Sequence, residues 1–495
     1  MRRTLLGVSA AALLAGCAVG PDYERPEVTL PDEWPEEIGD QMDTDYADAE
    51  FWWEMFEDPL LDRLVREALE NNIEAEIAAA RVVQARAVLG LSRAEQFPQL
   101  DGFAEFEREY PAGDDDPETE IAIGTLLSYE VDLWGRLSRA EEGARAQLLN
   151  TAFTRDATRL AVVSDVVSTY FDYRATREQI ETTEATILSQ IEALELERSR
   201  LESGATTDLT VRQAQAELET SRASLPDLEA DAVQQRRALA VLVGDTEAVT
   251  EGLEGLGDEG LEDLPDTISG LPHSVPSDLM IRRPDIRAAE ASLIAANADI
   301  GVARAEWLPS LNLAALFGQE VSRVSQFSSS DSFFWEFLAE STVPILDFGR
   351  RRATIEGVQA ERDIAELEYR AAIQEALEEV ANTWSVLNAA HERVEVRQRE
   401  VGARVEVLDL AERRYLGGFV GYLEVLDARR ALLDARLTLT EASRDRLAAT
   451  ATLFRALGGG WDSAAIPHDV LEDDDPDAAE AEAEEQIIVP ADSED

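Results

Sequence analysis

The stretches DLWGR (132–136) and LDFGR (346–350) place the same aromatic-Gly-Arg corner at two points of the chain, 214 residues apart. Each stretch follows a segment with strand character. Each precedes a long segment whose apolar residues recur at three- and four-residue steps. Glycine permits a sharp change of chain direction that other residues disfavour. The pairs Trp134–Gly135 and Phe348–Gly349 are therefore predicted to be strand-to-helix corners.

Other landmarks recur at nearly the same offset. FPQL (97–100) corresponds to LPSL (308–311), and ESGATTDL (202–209) corresponds to LGGFVGYL (416–423). Because the offset stays between 211 and 214 residues, the sequence predicts a tandem duplication. The unit, of roughly 180 residues, is longer than the repeats of solenoid proteins. Repeat 1 is assigned to 61–244 and repeat 2 to 276–458.

Each repeat is predicted to be an α-β-β-α-α unit. In repeat 1 a helix runs from Leu61 to about Phe97, and proline ends it at Pro98. Two strands follow, joined by loops rich in turn formers and charge. Each strand has about ten residues, the length that a tilted strand needs to cross a bilayer. The predicted strands lie at about 100–109, 120–131, 310–321 and 333–346.

Long helices follow each corner. The segment Leu137–Ser203 contains no proline and only Gly143 as a helix breaker. As one helix it would be a rod of about 100 Å. Turns at Gly204 and at Gly417–Gly418 are expected to send a second helix back, and Pro226 to kink the returning helix of repeat 1. The sequence thus predicts coiled-coil hairpins or the wall of a tunnel, at 137–243 and 350–457.

The charge of the chain is strongly acidic, with 102 acidic and 44 basic residues and a net charge of −58. The sequence contains no lysine, which excludes a phosphate-loop lysine and a Schiff-base lysine. Such a surface repels nucleic acid. Adaptation to high salt and an ordinary acidic periplasmic surface both explain it. The segment 245–275 is predicted to be a linker, and 459–495 an acidic, disordered tail.

The N-terminus has the layout of a secretory signal, which we assign to residues 1–16. It ends at LAGC (14–17), which resembles a bacterial lipobox, and Cys17 is the only cysteine in the sequence. Covalent lipid on Cys17 would anchor the segment 17–60 to a membrane, although a chance cysteine after a signal peptide is the simpler alternative. Ala18 resembles the residue that directs such lipoproteins to the outer membrane.

Beyond residue 17 no run of 18 apolar residues exists, so a bilayer would have to be crossed by strands. Trp134 and Phe348 then stand where an interfacial aromatic belt is expected. Four strands from one chain cannot close a barrel, and open sheet edges are not tolerated in lipid. The chain is therefore expected to oligomerise. Two copies would give eight strands around a filled interior, and three copies would give twelve around a conduit.

Four stretches of the sequence resemble one family. They are CAVGPDYERP (17–26), FWWEMFEDPLLDRLVREALENN (51–72), PSDLMIRRPDIRAAE (276–290) and RRYLGGFVGYLEVLDARRALLDARL (413–437). They resemble the outer-membrane efflux lipoproteins, TolC-like outer membrane factors of the NodT/OprM type, over residues 1 to about 460. The missing lysines and the acidic tail depart from the usual members.

This resemblance implies a homotrimer in the cell outer membrane that shares one 12-stranded membrane β-barrel. The barrel would continue as a long α-helical coiled-coil tunnel into the periplasm. The implied function is the exit duct of a tripartite efflux pump for drugs or other small molecules. Its implied partners are a periplasmic adaptor, an inner-membrane pump of the resistance-nodulation-division type and outer-membrane lipid, with no nucleic acid.

The resemblance also implies two functional regions near the hairpin turns. Tyr415, Leu423, Glu424 and Asp427 correspond to positions that line the periplasmic gate. Glu424 and Asp427 are three residues apart and share one helix face, and three copies would bring these carboxylates into one ring. Arg413 and Arg414 are the arginines expected to offset that ring, and an acidic, solvated helix end is the plainer alternative. The tips expected to dock the adaptor are Gly204, Asp208, Gly417 and Gly418.

The sequence gives no support for an enzyme or for a cofactor other than the lipid on Cys17. His273, His391 and His468 lie far apart without metal-ligand spacing, and no metal site is predicted. Acidic residues are so abundant that paired carboxylates are expected by chance. Two alternatives to an efflux duct stay open: a type I secretion outlet of the same fold, and a lipid-anchored periplasmic coiled-coil scaffold or adaptor.

Overall fold

The computed structural model describes residues 19–31, 34, 51–109, 118–254, 260–261, 264, 276–322 and 332–459. The predicted signal peptide, Cys17, His273, His468 and the tail from residue 460 onward lie outside the described residues. Most of the predicted linker, 245–275, also lies outside the described residues. No helix within the described ranges combines the length and the apolarity needed to cross a membrane.

Repeat 1 contains four long helices and two strands. A short 3-10 helix, Trp52–Phe56, precedes them, and a further helix follows. The elements are α1 (Pro59–Asn71), α2 (Ile73–Ala94), β1 (Gln99–Glu109), β2 (Glu118–Glu130), α3 (Arg136–Glu202), α4 (Asp208–Val243) and α5 (Thr246–Glu254).

Repeat 2 follows the same order. A 3-10 turn at Pro276–Asp278 leads into it. The elements are α6 (Leu279–Arg282), α7 (Pro284–Ala305), β3 (Ser310–Val321), β4 (Phe333–Thr342), α8 (Arg350–Leu416) and α9 (Tyr422–Ala456). The long helices α3 and α8 both contain 67 residues and both begin at the arginine of the corner motif.

The first helix of repeat 1 is interrupted, although the sequence predicted one helix to about Phe97. Asn72 adopts an extended conformation between α1 and α2. Its backbone N–H donates to the Ala68 carbonyl and ends α1, while its side-chain oxygen accepts from the Ala75 N–H and begins α2. Its amide group also donates to the Leu242 carbonyl at 2.7 Å. One asparagine thus caps two helices, a role that apolar periodicity does not reveal.

The predicted linker begins with a helix, α5. Asp245 caps it, accepting from the backbone N–H groups of Glu247 and Ala248 at 2.8 and 3.0 Å. Gly252 lies where a Cβ atom would come within 2.8 Å of the Leu60 side chain. One of the glycines that made this segment resemble a linker therefore permits close packing on α1. The helix α4, in turn, continues through Pro226 as one element.

Contacts divide the chain into two compact units. The first contains Met1–Thr29, Ile77–Arg155 and Asp285–Gln374, and the second contains Leu30–Glu76, Asp156–Pro284 and Glu375–Asp495. The first unit holds all four described strands. The second holds both hairpin turns.

The four strands form one antiparallel sheet in the order β1-β2-β3-β4. The pairing of β2 with β3 joins the two repeats, with Gly124 opposite Gly318. Phe103 pairs with Gly124, and Phe334 pairs with Gly318. Each phenylalanine ring lies over its paired glycine. A Cβ atom added to either glycine would be only 2.9 Å from the ring. β4 ends at Thr342, earlier than predicted, and Pro344 lacks the N–H that would extend the ladder.

Directly paired residues point to the same side of a sheet, so the register assigns every side chain to a face. One face, termed the apolar face, carries large exposed hydrophobic side chains from all four strands. Its members include Leu100, Phe106, Ile123, Leu127, Phe317, Phe333, Trp335 and Phe337.

Two of the sequence stretches that carry the family resemblance contribute to the core of the second unit. Trp52 is fully buried and stacks on Phe454 with ring centroids 5.2 Å apart. The carboxylate of Asp58 caps α1 and also accepts from the Tyr170 hydroxyl at 2.6 Å and from Arg174 at 2.8 Å. These contacts explain the stretch FWWEMFEDP as a packing motif.

The stretch IRRPD (281–285) likewise has a structural role, through the contacts of Arg283. Arg283 donates to the carboxylate of Glu379 on α8 at 2.7 Å and to the Ala456 carbonyl at 2.8 Å. Arg455 is paired with the same carboxylate at 3.4 Å. The arginine thus ties the beginning of repeat 2 to its end.

Candidate functional site

The two hairpin turns share one backbone geometry. Gly204 and Gly418 adopt left-handed conformations, with φ of 76° and 73°. The N–H after each glycine, in Ala205 and in Phe419, donates to the carbonyl five residues earlier. This is the Schellman arrangement that ends helices at glycine. The duplication predicted from the sequence is therefore visible in the turns themselves.

A hydrophobic cluster holds the two hairpins together beside these turns. It combines small and large apolar side chains from α3, α4, α8 and α9. Its buried members are Leu194, Val211, Ala214, Leu218, Ala411, Tyr422, Val425, Leu426 and Ala428.

Tyr415 connects the repeats through a polar contact at the edge of that cluster. Its hydroxyl donates to the carboxylate of Glu197 at 2.8 Å, and the Glu197 side chain is only 2% exposed. Its ring lies 5.2 Å from that of Tyr422, and the Arg200 guanidinium lies 4.9 Å from its centroid. Burial raises the pKa of Tyr415, and the Glu197 carboxylate raises it further. The tyrosine is therefore held as a neutral hydrogen-bond donor.

Two arginines of α9 make further contacts to carboxylates. Arg430 donates to Glu217 of α4 at 2.7 Å, and the Glu217 side chain is 6% exposed. This hydrogen bond raises the pKa of Arg430. Arg429 donates to Glu412 of α8 at 2.7 Å. A groove of about 300 Å³, which includes Glu197, Glu412, Tyr415 and Arg429 in its lining, runs between the hairpins.

The predicted gate residues divide into two groups in the structure. Tyr415 lies in the groove, whereas Leu423, Glu424 and Asp427 are exposed along α9. Within the chain, Arg413 pairs with Asp409 of its own helix. Arg430, which the sequence reasoning missed, is the arginine whose pKa Asp427 influences. The position of Arg430, three residues after Asp427, was the sequence signal that could have identified it.

The predicted docking tips are turn-forming residues with exposed neighbours. Gly204 and Gly418 have open space where a Cβ atom would stand, but their left-handed backbone disfavours other residues. Asp208 is exposed and pairs with Arg212 at 3.7 Å. Phe419 lies within the second tip but was not singled out from the sequence, and its side chain is 80% exposed beside Gly418.

The two strand-to-helix corners differ in their aromatic residues. The Trp134 indole N–H donates to the Pro309 carbonyl at 2.8 Å. Phe348 is 94% exposed and adopts a positive φ of 53°. Gly135 and Gly349 have positive φ, 77° and 90°, as the predicted corner requires.

A helix-capping aspartate precedes each corner, and the sequence reasoning overlooked it. Asp132 accepts from the backbone N–H groups of Leu137 and Ser138, at 3.2 and 2.9 Å. Asp347 accepts from those of Gly349 and Arg351, at 3.1 and 3.2 Å. These donors lower the pKa of Asp347. Both aspartates lie within the motifs DLWGR and LDFGR, so the sequence contained a helix-capping signal at each corner.

Residues 19–25, termed the N-terminal strap, follow the predicted lipid site and lie along the first unit. The Val19 N–H donates to the Trp134 carbonyl at the first corner, at 3.0 Å. The Asn297 side chain of α7 donates to the Pro21 carbonyl, also at 3.0 Å. The strap is thus fixed to a corner and to a helix from different repeats.

Charged side chains fix the strap further. Arg25 donates to both oxygens of Glu290 on α7, at 2.6 and 2.8 Å, and the Tyr23 hydroxyl donates to the same carboxylate at 3.0 Å. Burial raises the pKa of Tyr23, and so does the Glu290 charge. Arg139 of α3 reaches Asp22 at 2.6 Å. The bidentate pair between Arg25 and Glu290 fixes the geometry of the strap as well as contributing energy.

Comparisons with known proteins agree with this architecture. A family model described as outer membrane efflux protein matches residues 64–245 and 275–459. The solvent efflux pump outer membrane protein SrpC of Pseudomonas putida is 33% identical over 481 residues, covering 93% of this chain and 99% of that protein. The probable outer membrane lipoprotein SilC of Salmonella typhimurium is 31% identical, covering 92% of this chain and 98% of that protein.

A solved structure shares the fold. The outer membrane channel MtrE of Neisseria gonorrhoeae, in its open state, superimposes with a TM-score of 0.81 at 26% identity. The match covers 90% of this chain and 98% of that one. The mostly helical fold with a few strands is therefore that of outer-membrane efflux channels.

The contact between Tyr415 and Glu197 generates a first prediction. Tyr415→Phe removes the donor to a buried carboxylate, which costs about 1–3 kcal/mol. Backbone amides around the turn at Gly418 should then exchange hydrogen roughly tenfold faster or more. Mass-spectrometric hydrogen exchange measures this. Tyr422→Phe is the matched control, because the Tyr422 hydroxyl makes no hydrogen bond to the described residues. Equal effects of the two variants would contradict the role of the contact.

Proposed function

The chain belongs to the outer membrane efflux protein family, and from this premise we propose that three copies form the exit duct of a tripartite efflux pump. Each copy would contribute its four strands to one 12-stranded barrel in the outer membrane. The paired helices would form a tunnel that extends into the periplasm. The single observation that carries the proposal is the four-stranded sheet, which has an apolar face and two edges that no described strand covers.

The sheet supports assembly because it is incomplete in one chain. Within the part of the chain that the structure describes, β1 and β4 each pair on one side only, so their outer edges present free backbone groups. The segment 343–348 after β4 also exposes Val343, Ile345, Leu346 and Phe348. Pairing β4 of one copy with β1 of the next would satisfy the edges and close the ring. Twelve strands leave room for a conduit, whereas eight do not.

We propose that lipid on Cys17 anchors each copy beside this barrel. Cys17 stands two residues before Val19, a span of at most about 7 Å. Val19 is bonded to the corner at Trp134, so the lipid would lie near the end of β2. The description of SilC as a lipoprotein supports the assignment.

Native mass spectrometry of the protein purified from outer membranes tests both proposals. The expected mass is that of three chains beginning at Cys17, each with covalent acyl groups. Cys17→Ser should lack the acyl mass but still give the trimer, because strand burial contributes more than the acyl chains. A monomer from the unaltered protein would contradict the proposed assembly. An unmodified Cys17 would contradict the anchor alone.

The hairpin turns are the proposed docking site of a periplasmic adaptor. Gly204, Asp208, Gly417 and Gly418 shape these turns, and Phe419 offers an exposed apolar contact beside them. An apolar side chain that protrudes into water stabilises a complex when a partner covers it. The partner pump in the inner membrane would then connect through the adaptor.

Phe419→Ala should lower efflux-dependent resistance of the producing cells severalfold while leaving the trimer intact, because docking loses its apolar contact. Gly418→Asn is the control, since asparagine tolerates a left-handed turn. It should keep most activity if the glycine serves only the turn. Resistance and adaptor crosslinking at the turns are the measurements. If Phe419→Ala kept full resistance and full crosslinking, this side chain would have no role in docking.

We propose that Glu424 and Asp427, with Leu423 beside them, line the gate of the periplasmic entrance, and that Tyr415 holds it from behind. Three copies of this carboxylate pair would form a ring supplied by repeat 2 alone. The corresponding residues of repeat 1 are Leu209, Thr210 and Gln213, which are uncharged. Arg430 of the same helix, three residues after Asp427, is paired with Glu217 of α4. A ring of carboxylates favours cations over anions.

Single-channel recordings of the reconstituted trimer test this gate. Glu424→Gln combined with Asp427→Asn should weaken block by divalent cations roughly tenfold, because the ring loses its charge. Leu423→Ala should raise conductance by widening the constriction. Asp208→Asn, at the other turn, is the control and should leave the block unchanged. Unaltered divalent block in the double variant would show that these carboxylates do not form the ring.

A type I secretion outlet of the same fold is the second candidate. The names of the relatives, which are efflux proteins, favour the pump. We further propose that the chain catalyses no reaction and holds no cofactor beyond its lipid. The family assignment also argues against the periplasmic scaffold.

A further inference from the structure

The two repeats correspond residue by residue within the first unit, with an offset that differs between elements. The end of α2 and the start of β1, GLSRAEQFPQL (90–100), correspond to GVARAEWLPSL (301–311), 211 residues later. The corner at Gly135 corresponds to Gly349, 214 residues later. Each residue of α2 and β1 therefore has a counterpart in α7 and β3, and each residue of β2 and early α3 has one in β4 and α8.

The strand pairing obeys the same two offsets. In repeat 1, Gln99 of β1 pairs with Ser128 of β2. In repeat 2, their counterparts Ser310 and Thr342 pair with each other. The two hairpins are thus equivalent in register, and the β2–β3 junction is a template for a junction between β4 and a further β1.

Within the chain, glycine lets α3 of repeat 1 pack closely on α7 of repeat 2. A Cβ atom added to Gly143 of α3 would lie 3.7 Å from the Ala298 Cβ atom of α7. One added to Gly301 of α7 would lie 2.7 Å from the Arg139 side chain of α3. Both glycines are buried at this junction of the repeats.

Both glycines recur in the other two helices, where nothing in the chain packs on them. Gly357 of α8 is the counterpart of Gly143, and Gly90 of α2 is the counterpart of Gly301. No described atom lies within 4 Å of a Cβ atom added at either position. An exposed glycine inside a helix is destabilising relative to alanine. A single chain therefore gains nothing from these glycines, whereas a second helix that packed on them would need both.

The exposed side of α8 near its corner has the spacing of a helix-packing surface. Ala353, Gly357, Ala360, Ile364 and Leu367 recur at alternating steps of four and three residues, and all are exposed. Such alternation is the pattern of a coiled-coil interface. Ile364 and Leu367 are 54% and 66% exposed. These five residues, termed the α8 seam, are suited to burial against another helix.

α2 carries a surface of the same kind. Ala80, Val83, Ala87, Gly90 and Ala94 alternate at steps of three and four residues, and all are exposed. Val83 is 65% exposed. The two surfaces thus combine small residues with a few larger apolar side chains, which permits close approach of the helices.

We propose that α8 and β4 of one copy dock on α2 and β1 of the next copy, in the register that joins the two repeats within the chain. This inference rests on the proposed trimer and deepens it, because it names the surface and the register at which copies meet. Gly357 then contacts Ala87 of the next copy, the counterpart of Ala298. The occupant of the α8 seam is thus a second copy of this chain.

The strand register at this junction follows from the offsets. Within the chain, Leu127 of β2 pairs with Ala315 of β3. Their counterparts are Ser341 of β4 and Ala104 of β1, so Ser341 lies opposite Ala104 of the next copy. The observed pairings place both residues on the apolar face, as direct pairing requires. A register shifted by one residue would put them on opposite faces.

The same register contains one unfavourable contact. Glu340 lies opposite Glu105 of the next copy, and both are exposed on the face away from the apolar face. Like charges directly opposite are destabilising, yet the chain already holds Glu107 opposite Glu120. Salt screens exposed pairs of this kind.

The junction between copies lacks two hydrogen bonds that fix the junction within the chain. The Trp134 indole donates to the Pro309 carbonyl, and the Asn150 side chain donates to a backbone carbonyl of α7, both at 2.8 Å. Their counterparts are Phe348 and Ile364, which have no polar side-chain atom. Copies therefore join here through apolar contact, which accounts for the 94% exposure of Phe348 in one chain.

Disulfide crosslinking in outer membranes tests the register. The sequence contains one cysteine, Cys17, which the proposed lipid blocks. Ser341→Cys combined with Ala104→Cys should link copies into dimers and trimers on non-reducing gels, because directly paired Cα atoms are about 5 Å apart. Ser341→Cys with Gly102→Cys is the matched control. It keeps the face but displaces the pair to about 7–8 Å, and should link roughly tenfold less.

A single substitution tests the α8 seam. Gly357→Leu should abolish the trimer on native gels and leave a helical monomer, because leucine favours the helix but blocks the approach of α2. Asp363→Leu is the control, since Asp363 is exposed on the same helix outside the seam. It should keep the trimer.

A gain of stability provides a further test. Phe348→Trp should raise the temperature at which the trimer dissociates in detergent by several degrees. The new indole N–H would donate to the carbonyl of Pro98 of the next copy, as Trp134 does to Pro309. Phe348→Leu, which adds no donor, should not raise it.

The outcomes separate the inference from the function on which it rests. Absence of a trimer from the unaltered protein would overturn the proposed duct. Trimers in which the Gly102 pair links and the Ala104 pair does not would overturn the register and leave the duct standing. If the paired cysteine variants do not assemble, Gly357→Leu decides. Normal trimers of that variant would show that the α8 seam meets no second copy.

Discussion

The hydrogen-bonded ladder between β2 and β3 is the interaction on which the rest of the first unit depends. It joins the last strand of one repeat to the first strand of the other, with Gly124 opposite Gly318. A register shift of one residue would turn every side chain to the other face. The ladder therefore fixes which side chains are apolar and which are acidic. It also brings the Pro309 carbonyl to the Trp134 indole at the first corner.

The duplicated architecture could be predicted from the sequence because its signals are local. Glycines at corners and turns, proline at helix ends and alternation in strands each depend on a few neighbours. The break at Asn72 and the helix α5 were missed, because Asn72 is held by the distant Leu242 carbonyl and Gly252 by packing on α1. Phe419 could not be singled out, since exposure is not a property of sequence.

The candidate site was harder to predict because acidic residues are so common in this chain. Glu197, Glu217 and Glu290 are buried, and each accepts from a side chain distant in sequence: Tyr415, Arg430 and Arg25. A buried carboxylate requires such a partner. In a chain without lysine these partners are arginines and tyrosines, which donate in fixed directions. The composition thus indicated the donors available, whereas only the fold shows which carboxylates they hold.

The two free edges of the sheet are not equivalent, since one belongs to β1 of repeat 1 and the other to β4 of repeat 2. Association through them is heterologous, head to tail, and stops only when a ring closes. A subunit that keeps a sound β1 but has a damaged β4 can still join a growing ring and then leaves it open. In cells that produce both forms, such an allele would be dominant, because one defective copy disables the sound copies bound to it. An inactive chain that fails to fold, by contrast, would be recessive.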